Sequence, residues 1–188
     1  MHCTTYPMEA LLSRRGVVET TGALSTVFLG QKVEIRKESR AVSVDGKPAN
    51  FVQGLSVYDW LCDREPQAEA AWEFCPVSSL SAVYVSGGGL DMSMPKIAKR
   101  IDEKPACFQS AMIAMGAKKI TFGDIGFRLM VFPDLPMCLK FYFGDDEFPP
   151  ELQLMWDRNS LQFVRYETLY YIAGCLRERL SQMLSEKQ

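Results

Sequence analysis

Three consecutive carboxylates, Asp145, Asp146 and Glu147, sit between two runs of strand-like residues in FYFGDDEFPPELQLMWD, with Glu151 just past two prolines and Asp157 at the far end. Oxygen-rich sets of this kind hold hard cations such as Mg²⁺ or Ca²⁺. Paired carboxylates also serve as general acid and base when burial drives their pKa values apart. Adjacency works against a cation, because three neighbouring side chains on a turn or extended backbone cannot all aim at one point. Further oxygens would have to come from Glu151, Asp157 or backbone carbonyls. DDEFPPELQLMWD also lacks the alternating ligands and central glycine of an EF-hand loop. A third reading is a solvated hairpin tip whose charges keep the sheet end from pairing edge to edge. Asp145, Asp146, Glu147 and Asp157 are thus the candidate cation or polar-ligand site, with no metal assigned to them.

A second candidate lies in SGGGLDMSMPKIAKR. Gly87, Gly88 and Gly89 would let a ligand approach the backbone, and a helix starting near Pro95 would offer N–H groups that favour an anion. Lys96, Lys99, Arg100 and Lys104 fall on one face of that helix, opposite Ile97 and Ile101. The stretch is neither a P-loop nor a dinucleotide fingerprint, since both GK[ST] and GxGxxG are missing. Gly87, Gly88, Gly89, Lys96, Lys99 and Arg100 form a candidate anion site, with a flexible turn and a solvated basic face as the simpler reading.

Six cysteines are spread along the chain without a CxxC pair, which argues against zinc or an iron–sulfur cluster held by this chain. Cys138 is the thiol whose strand neighbours Lys140 and Tyr142 would lower its pKa. The single histidine, His2, lies at the terminus. That removes the commonest general base and the commonest transition-metal ligand from the interior, and with them histidine triads and zinc-hydrolase sites. The many aromatic and methionine residues suit a core as well as a flat apolar pocket.

These residues need elements to position them. Met8–Leu12 reads as a short helical start. STVFLG, QKVEIRK and AVSVDGK read as two or three antiparallel strands, with Asp45-Gly46 a tight turn. FVQGLSVYDWLC reads as a helix with Val52, Leu55, Tyr58 and Leu61 on its apolar face, DREPQAEA as a loop, and PVSSLSAVYV as a strand ending at the glycines. Two helices follow, one from Pro95 and one over PACFQSAMIAMG with Phe108, Ala111, Met112 and Met115 as its stripe and Gly116 as its cap. KKITFGDIGFRLMVF reads as two strands meeting at Gly123-Asp124, and PDLP as a connector that cannot sit inside a central strand. MCLKFYF and ELQLMWD alternate as a hairpin. From Arg165 the period is helical, with Leu169, Ile172, Ala173, Leu176, Leu180 and Met183 on one face. Strands cluster apart from helices, so the expectation is an α+β fold with a mostly antiparallel sheet packed with helices and a C-terminal helix closing the core. Residues 1–188 are expected to form a single globular domain, with 1–24 a loosely attached segment.

Net charge is −2 and the pI about 5.5, so no overall positive field collects nucleic acid or anionic lipid. No window reaches the roughly 18 apolar residues of a membrane span, and the N-terminus does not read as a secretory signal. A cytoplasmic protein is expected.

The order of a glycine-rich turn, MGAKKITFGDIGFRLMVFPDLP, LKFYFGDDEFPPELQLMWD and RYETLYYIAGCL resembles a family known as a domain of unknown function, found mainly in anaerobic bacteria and archaea. The likeness runs from about Ser25 to Leu184, and its specific part is Asp145, Asp146, Glu147, Phe148 and Pro149, with Trp156-Asp157 after the second strand. Members are sometimes fused to iron–sulfur modules like those of corrinoid-dependent one-carbon metabolism. The resemblance therefore implies a non-enzymatic binding or accessory domain of anaerobic cofactor or redox metabolism, with an iron–sulfur or corrinoid protein as partner. It carries over no catalytic residue and no cofactor. The alternative from the residues is a Mg²⁺-dependent hydrolase or transferase at the acidic hairpin. A third is RNA or phosphate binding through Lys96, Lys99 and Arg100.

Overall fold

The computed structural model describes residues 11–185 apart from 13, 66 and 81–91. Where one sheet was expected, the described strands form two, both antiparallel. In the first, β1 (Val18–Thr20), β2 (Ala23–Phe28), β3 (Gln31–Arg36), β4 (Val42–Val44) and β5 (Lys47–Pro48) pair in chain order. After helix α1 (Phe51–Cys62) comes β6 (Phe74–Pro76), and after α2 (Pro95–Glu103) and α3 (Pro105–Ala114) come β7 (Lys118–Ile120), β8 (Ile125–Phe132), β9 (Leu135–Tyr142) and β10 (Glu151–Asp157). The second sheet runs β6-β10-β9-β8-β7. Helix α4 (Tyr166–Ser185) packs against α1, α2 and α3, and α2 packs against β10. The class is α+β, with the C-terminal helix closing the core.

Turn chemistry sets the first sheet. Asp45 and Gly46 have φ of 48° and 76° and join β4 to β5 with Val44 opposite Lys47, as the Asp-Gly signal predicts. Leu29 and Gly30 repeat the geometry between β2 and β3, with φ of 49° and 75°. A leucine is disfavoured there, but Leu29 is buried and its N–H donates to Val131 O at 2.8 Å, so the turn is held from outside. A Cβ on Gly30 would lie 2.3 Å from the Met115 carbonyl oxygen, so only glycine fits.

That bond from Leu29 also joins the two sheets. The register of β8 against β9 slips between Met130 and Phe132, and the irregularity leaves Val131 O for Leu29. Beside it Phe28 stacks on Phe132 at 4.9 Å, and Trp60 of α1 lies on the other side of Phe132 at 4.6 Å with the planes 2° apart. Trp60 Nε1 donates to Asp134 Oδ1 at 2.9 Å, and Arg64 pairs with Asp134 Oδ2 while its guanidinium covers the Phe163 ring at 5.0 Å.

This junction explains where sequence reasoning on α1 went astray. The predicted face was Val52, Leu55, Tyr58 and Leu61, yet the buried residues are Ser56, Val57, Asp59, Trp60, Leu61 and Cys62. Trp60 turns the helix because its ring and its N–H both find partners on the β8–β9 turn. The polar residues brought inward are satisfied: Ser56 Oγ donates to Val52 O at 2.9 Å, and Asp59 Oδ2 accepts the Arg165 N–H at the start of α4 at 2.8 Å. Arg165 also pairs with Asp63 at 2.6 Å, so Asp59 of α1 and Asp63 just past its end both face the positive end of α4.

Elsewhere the periodic segments stand as read. Helix α3 buries Phe108, Ala111 and Met112 and ends in a Schellman motif, with Ala117 N–H donating to Met112 O, Gly116 N–H to Ile113 O, and Gly116 at φ 79°. Helix α4 buries Leu169, Ile172, Ala173, Leu176 and Leu180, while Met183 is half-buried. Two strand expectations change. Pro136 lies inside β9, tolerated because β10 begins to pair one residue later, at Met137. The strand expected over PVSSLSAVYV is displaced: β6 ends at Pro76, Val77–Ser79 forms a 3₁₀ turn, and the remainder beyond Leu80 lies outside the described residues. Of the helical start at Met8–Leu12 only Leu11 and Leu12 are described, both helical. Within the expected loose segment 1–24, Leu11 is fully buried and β1 pairs with β2.

Replacing Asp134 by alanine leaves Arg64 and the Trp60 indole without their shared acceptor in a nearly water-free site. Urea unfolding of Asp134→Ala should show a loss of about 3–5 kcal/mol. A loss under 1 kcal/mol would mean that the junction holds without this carboxylate.

Candidate functional site

The acidic hairpin folds as an exposed tip. Asp145, Asp146 and Glu147 are all exposed, and Asp145 is turned inward on its own loop. Its Oδ1 accepts the N–H groups of Glu147 at 2.9 Å and Phe148 at 2.8 Å, and its N–H donates to Phe148 O at 2.9 Å. The bonds from Phe148 and then Glu147 hold the Asp145 carboxyl below the usual carboxylate range. Two carboxylates that sequence reasoning did not single out clamp the base of the tip: Asp124 Oδ2 accepts Phe143 N–H at 2.9 Å, and Asp102 Oδ1 of α2 accepts Gly144 N–H at 3.1 Å. Asp124 stands at the turn between β7 and β8, where Gly123 has φ 69°.

Asp157 is not part of this cluster. It ends β10 at the opposite end of the strand, roughly 20 Å from the tip for seven extended residues. It is fully buried, and it accepts the N–H groups of Ala71 at 3.0 Å, Trp72 at 2.7 Å and Asn159 at 2.9 Å. Its work is to hold the loop that leads into β6, where Trp72 sits at φ 58° with its ring over Arg128 at 5.1 Å. Among the described residues no group of three or more His, Cys, Asp or Glu side chains is placed to hold a metal ion.

Of the candidate anion site, Gly87, Gly88 and Gly89 lie outside the described residues. Lys96 and Lys99 are exposed on α2, as is Arg100, whose Nη1 lies 3.2 Å from Ser185 Oγ and 3.4 Å from Ser181 O. Arg100 therefore serves the last turn of α4, where carbonyl groups carry the negative end of the helix. Lys96 and Lys99 are left without it.

The two candidate stretches nevertheless meet. A groove of about 900 Å³ opens between the hairpin and the start of α2, walled by Val77, Met94, Pro95, Phe148, Leu152 and Leu154. Asp124, Asp145 and Glu151 bring carboxylates to it, and neither lysine nor arginine is among its described lining residues. Phe148 is 66% exposed. The groove exists because β6 pairs only with Met155, Trp156 and Asp157, so the first half of β10 has no described strand on that side. No sequence signal marked this, since it depends on where a strand from far up the chain stops.

Cys138 and Cys175 are placed as inert groups. Cys138 is fully buried, and burial pushes its pKa up to about 12, against the opposing pull of Arg128. Burial likewise raises Cys175 to about 11. The lowering expected from Lys140 is absent because that ammonium lies over the Phe122 and Tyr142 rings, 5.0 and 4.7 Å from their centres. Asp59 is pushed above the ordinary carboxylate range by burial and then by its hydrogen bond with Asp63, but it lies at the α1–α4 contact, away from the groove.

A family described as Domain of unknown function (DUF3786) matches residues 8–179. No curated protein and no solved structure matches the chain.

Three outcomes follow from this geometry. Asp157→Ala orphans three backbone N–H groups and should destabilise the fold by about 3 kcal/mol or more in chemical denaturation. Asp146→Ala, at the exposed tip, should shift it by no more than about 0.5 kcal/mol. In the native protein at pH 8, Cys138 and Cys175 should resist iodoacetamide and become labelled only after unfolding, as read by mass spectrometry. Rapid native alkylation of Cys138 would contradict its placement.

Proposed function

We propose that this chain, which belongs to the DUF3786 family of domains of unknown function, is a binding or accessory domain that seats a ligand or partner in the groove between the β9–β10 hairpin and α2 and turns nothing over itself. The observation that carries this reading is the groove: a concavity of about 900 Å³ is of the size that small-molecule and cofactor sites occupy, with largely apolar walls and a few converging polar groups. Of the carboxylates at the groove, Asp124 and Asp145 accept backbone N–H groups, and the described residues include no histidine to shuttle a proton. Anaerobic cofactor or redox metabolism beside an iron–sulfur or corrinoid protein is the setting implied by the resemblance, and with the cytoplasmic location expected from the sequence it forms part of this proposal. A Mg²⁺-dependent hydrolase or transferase at the hairpin loses Asp157 as a ligand, because that residue is buried at the far end of β10, and this disfavours it. No helix among the described residues is long and apolar enough to cross a membrane.

Thermal shift against corrinoids, tetrapyrroles, nucleotides and divalent cations tests this reading. A ligand at a hundredfold its Kd adds about 2.7 kcal/mol, a readily measured rise in Tm. One class should raise the Tm of the native chain, and Phe148→Ser, which truncates an exposed groove residue, should abolish that rise while leaving the unliganded Tm in place. An unchanged shift in Phe148→Ser, or turnover of the bound compound, would refute the proposal.

A further inference from the structure

The half of β10 that β6 leaves uncovered has a definite hydrogen-bonding phase. Beyond β10, Arg158 N–H donates to Glu73 O at 2.8 Å, and on the far side Asp124 N–H takes Phe141 O at 2.9 Å. In an antiparallel ladder the residues of one strand bond alternately to one neighbour and the other. Both bonds give the same result: Glu151, Gln153 and Met155 bond to β9, while Leu152, Leu154 and Trp156 turn their peptide groups the other way. Trp156 meets Cys75 of β6. Pro76, opposite Met155, ends β6, and the chain then leaves the sheet in the 3₁₀ turn at Val77–Ser79. Leu152 therefore presents its N–H and C=O to the groove and Leu154 its N–H, two residues apart, at the repeat that another strand would match.

We infer that the groove takes an extended segment of a partner protein, alternating apolar and basic residues, as an added strand on the Glu151–Leu154 edge of β10. Resting on the groove reading above, this names the kind of occupant. Strand addition draws affinity from main-chain bonds and specificity from pockets for alternate side chains. Here the main-chain groups are those of Leu152 and Leu154, and the apolar wall is Val77, Met94 and Phe148. The sign of charge follows from the lining. Asp124, Asp145 and Glu151 stand at the groove with no cation of the described lining to balance them. Asp145 directs only Oδ1 at its own loop, leaving the other oxygen for an incoming lysine or arginine. An acidic segment would meet like charge at each of these points, which suppresses the wrong partner.

The test uses the full chain and a short peptide alternating valine and lysine, with amide hydrogen exchange resolved by residue. In the free chain Leu152 and Leu154 should exchange fast, while Gln153, bonded to β9, exchanges slowly. The peptide should slow Leu152 and Leu154 by about tenfold or more and bind more weakly as salt rises. Two further peptides carry N-methyl groups on alternate amides, one set at the valines and the other at the lysines. One should bind like the parent and the other not at all, because only one face of an added strand pairs with β10. Equal binding of both methylated peptides, or of a valine–glutamate peptide, would overturn the inference. So would slow exchange of Leu152 and Leu154 in the free chain, which would mean that the edge is already covered, by a second copy if the protection depends on protein concentration and by the chain itself if it does not. A small molecule whose Tm shift is lost in Phe148→Ser, combined with no peptide binding, would leave the groove reading standing and remove strand addition alone.

Discussion

The Asp134 carboxylate holds the molecule together at the point where its parts would otherwise separate. Two sheets that share no hydrogen-bonded strand pair meet at the β8–β9 turn, and helix α1 lies over that meeting. Apolar stacking of Phe28, Phe132 and Trp60 supplies area but little direction. Direction comes from one buried anion receiving the indole N–H and the Arg64 guanidinium together. A buried ion pair of this kind is weak evidence for net stability, since well-packed apolar residues often do as well. Its value here is geometric: Trp60 has one rotational setting in which ring and N–H are both satisfied, and that setting fixes the face of α1. The Leu29 bond to Val131 then fixes how far the first sheet slides along the second.

The same economy runs through the acidic residues. A chain with three carboxylates in a row invites a metal or an acid–base pair, yet the structure uses its aspartates as acceptors for loop N–H groups. Asp157 holds Ala71, Trp72 and Asn159; Asp124 and Asp102 hold the base of the hairpin; Asp145 closes its tip. Irregular backbone has N–H groups that no ladder satisfies, and a short carboxylate is the most compact acceptor available to them. The consequence for function is positional. A hairpin whose base and tip are pinned makes a firm wall, and beside α2 it frames a groove without contributing reactive groups to it.

Much of this was legible in the sequence wherever a local period or turn decided the outcome. The alternation of MCLKFYF and ELQLMWD, the stripe of α3 with its Gly116 cap, the Asp45-Gly46 turn and the face of α4 each follow from a few adjacent residues. An exposed tip at Asp145, Asp146 and Glu147 was one of the readings the sequence offered, beside a cation site and an acid–base pair. What escaped was decided between residues far apart. FVQGLSVYDWLC is apolar nearly all round, so its period could not pick a face, and the deciding partner, Asp134, lies 74 residues from Trp60. Asp157 looked like a member of the acidic cluster because it is close along the chain, yet two of its three partners are 85 and 86 residues away. The division into two sheets, and the groove left where β6 stops, are likewise outcomes of which distant strands pair.

Those long separations bear on the order in which the chain can assemble. Strands β8, β9 and β10 follow one another through short connections, so their meander can form from neighbouring residues alone. Strand β6 reaches β10 only by closing a loop that spans the intervening helices and strands. Closing some eighty residues instead of two costs about 3 kcal/mol more in chain entropy. The Ala71 and Trp72 bonds to Asp157 offset that cost only once those residues arrive, so within the second sheet β6 is the strand placed to dock last and leave first. A thermally stressed population would fray at this seam while the β8–β10 meander and its hydrophobic partners remained intact.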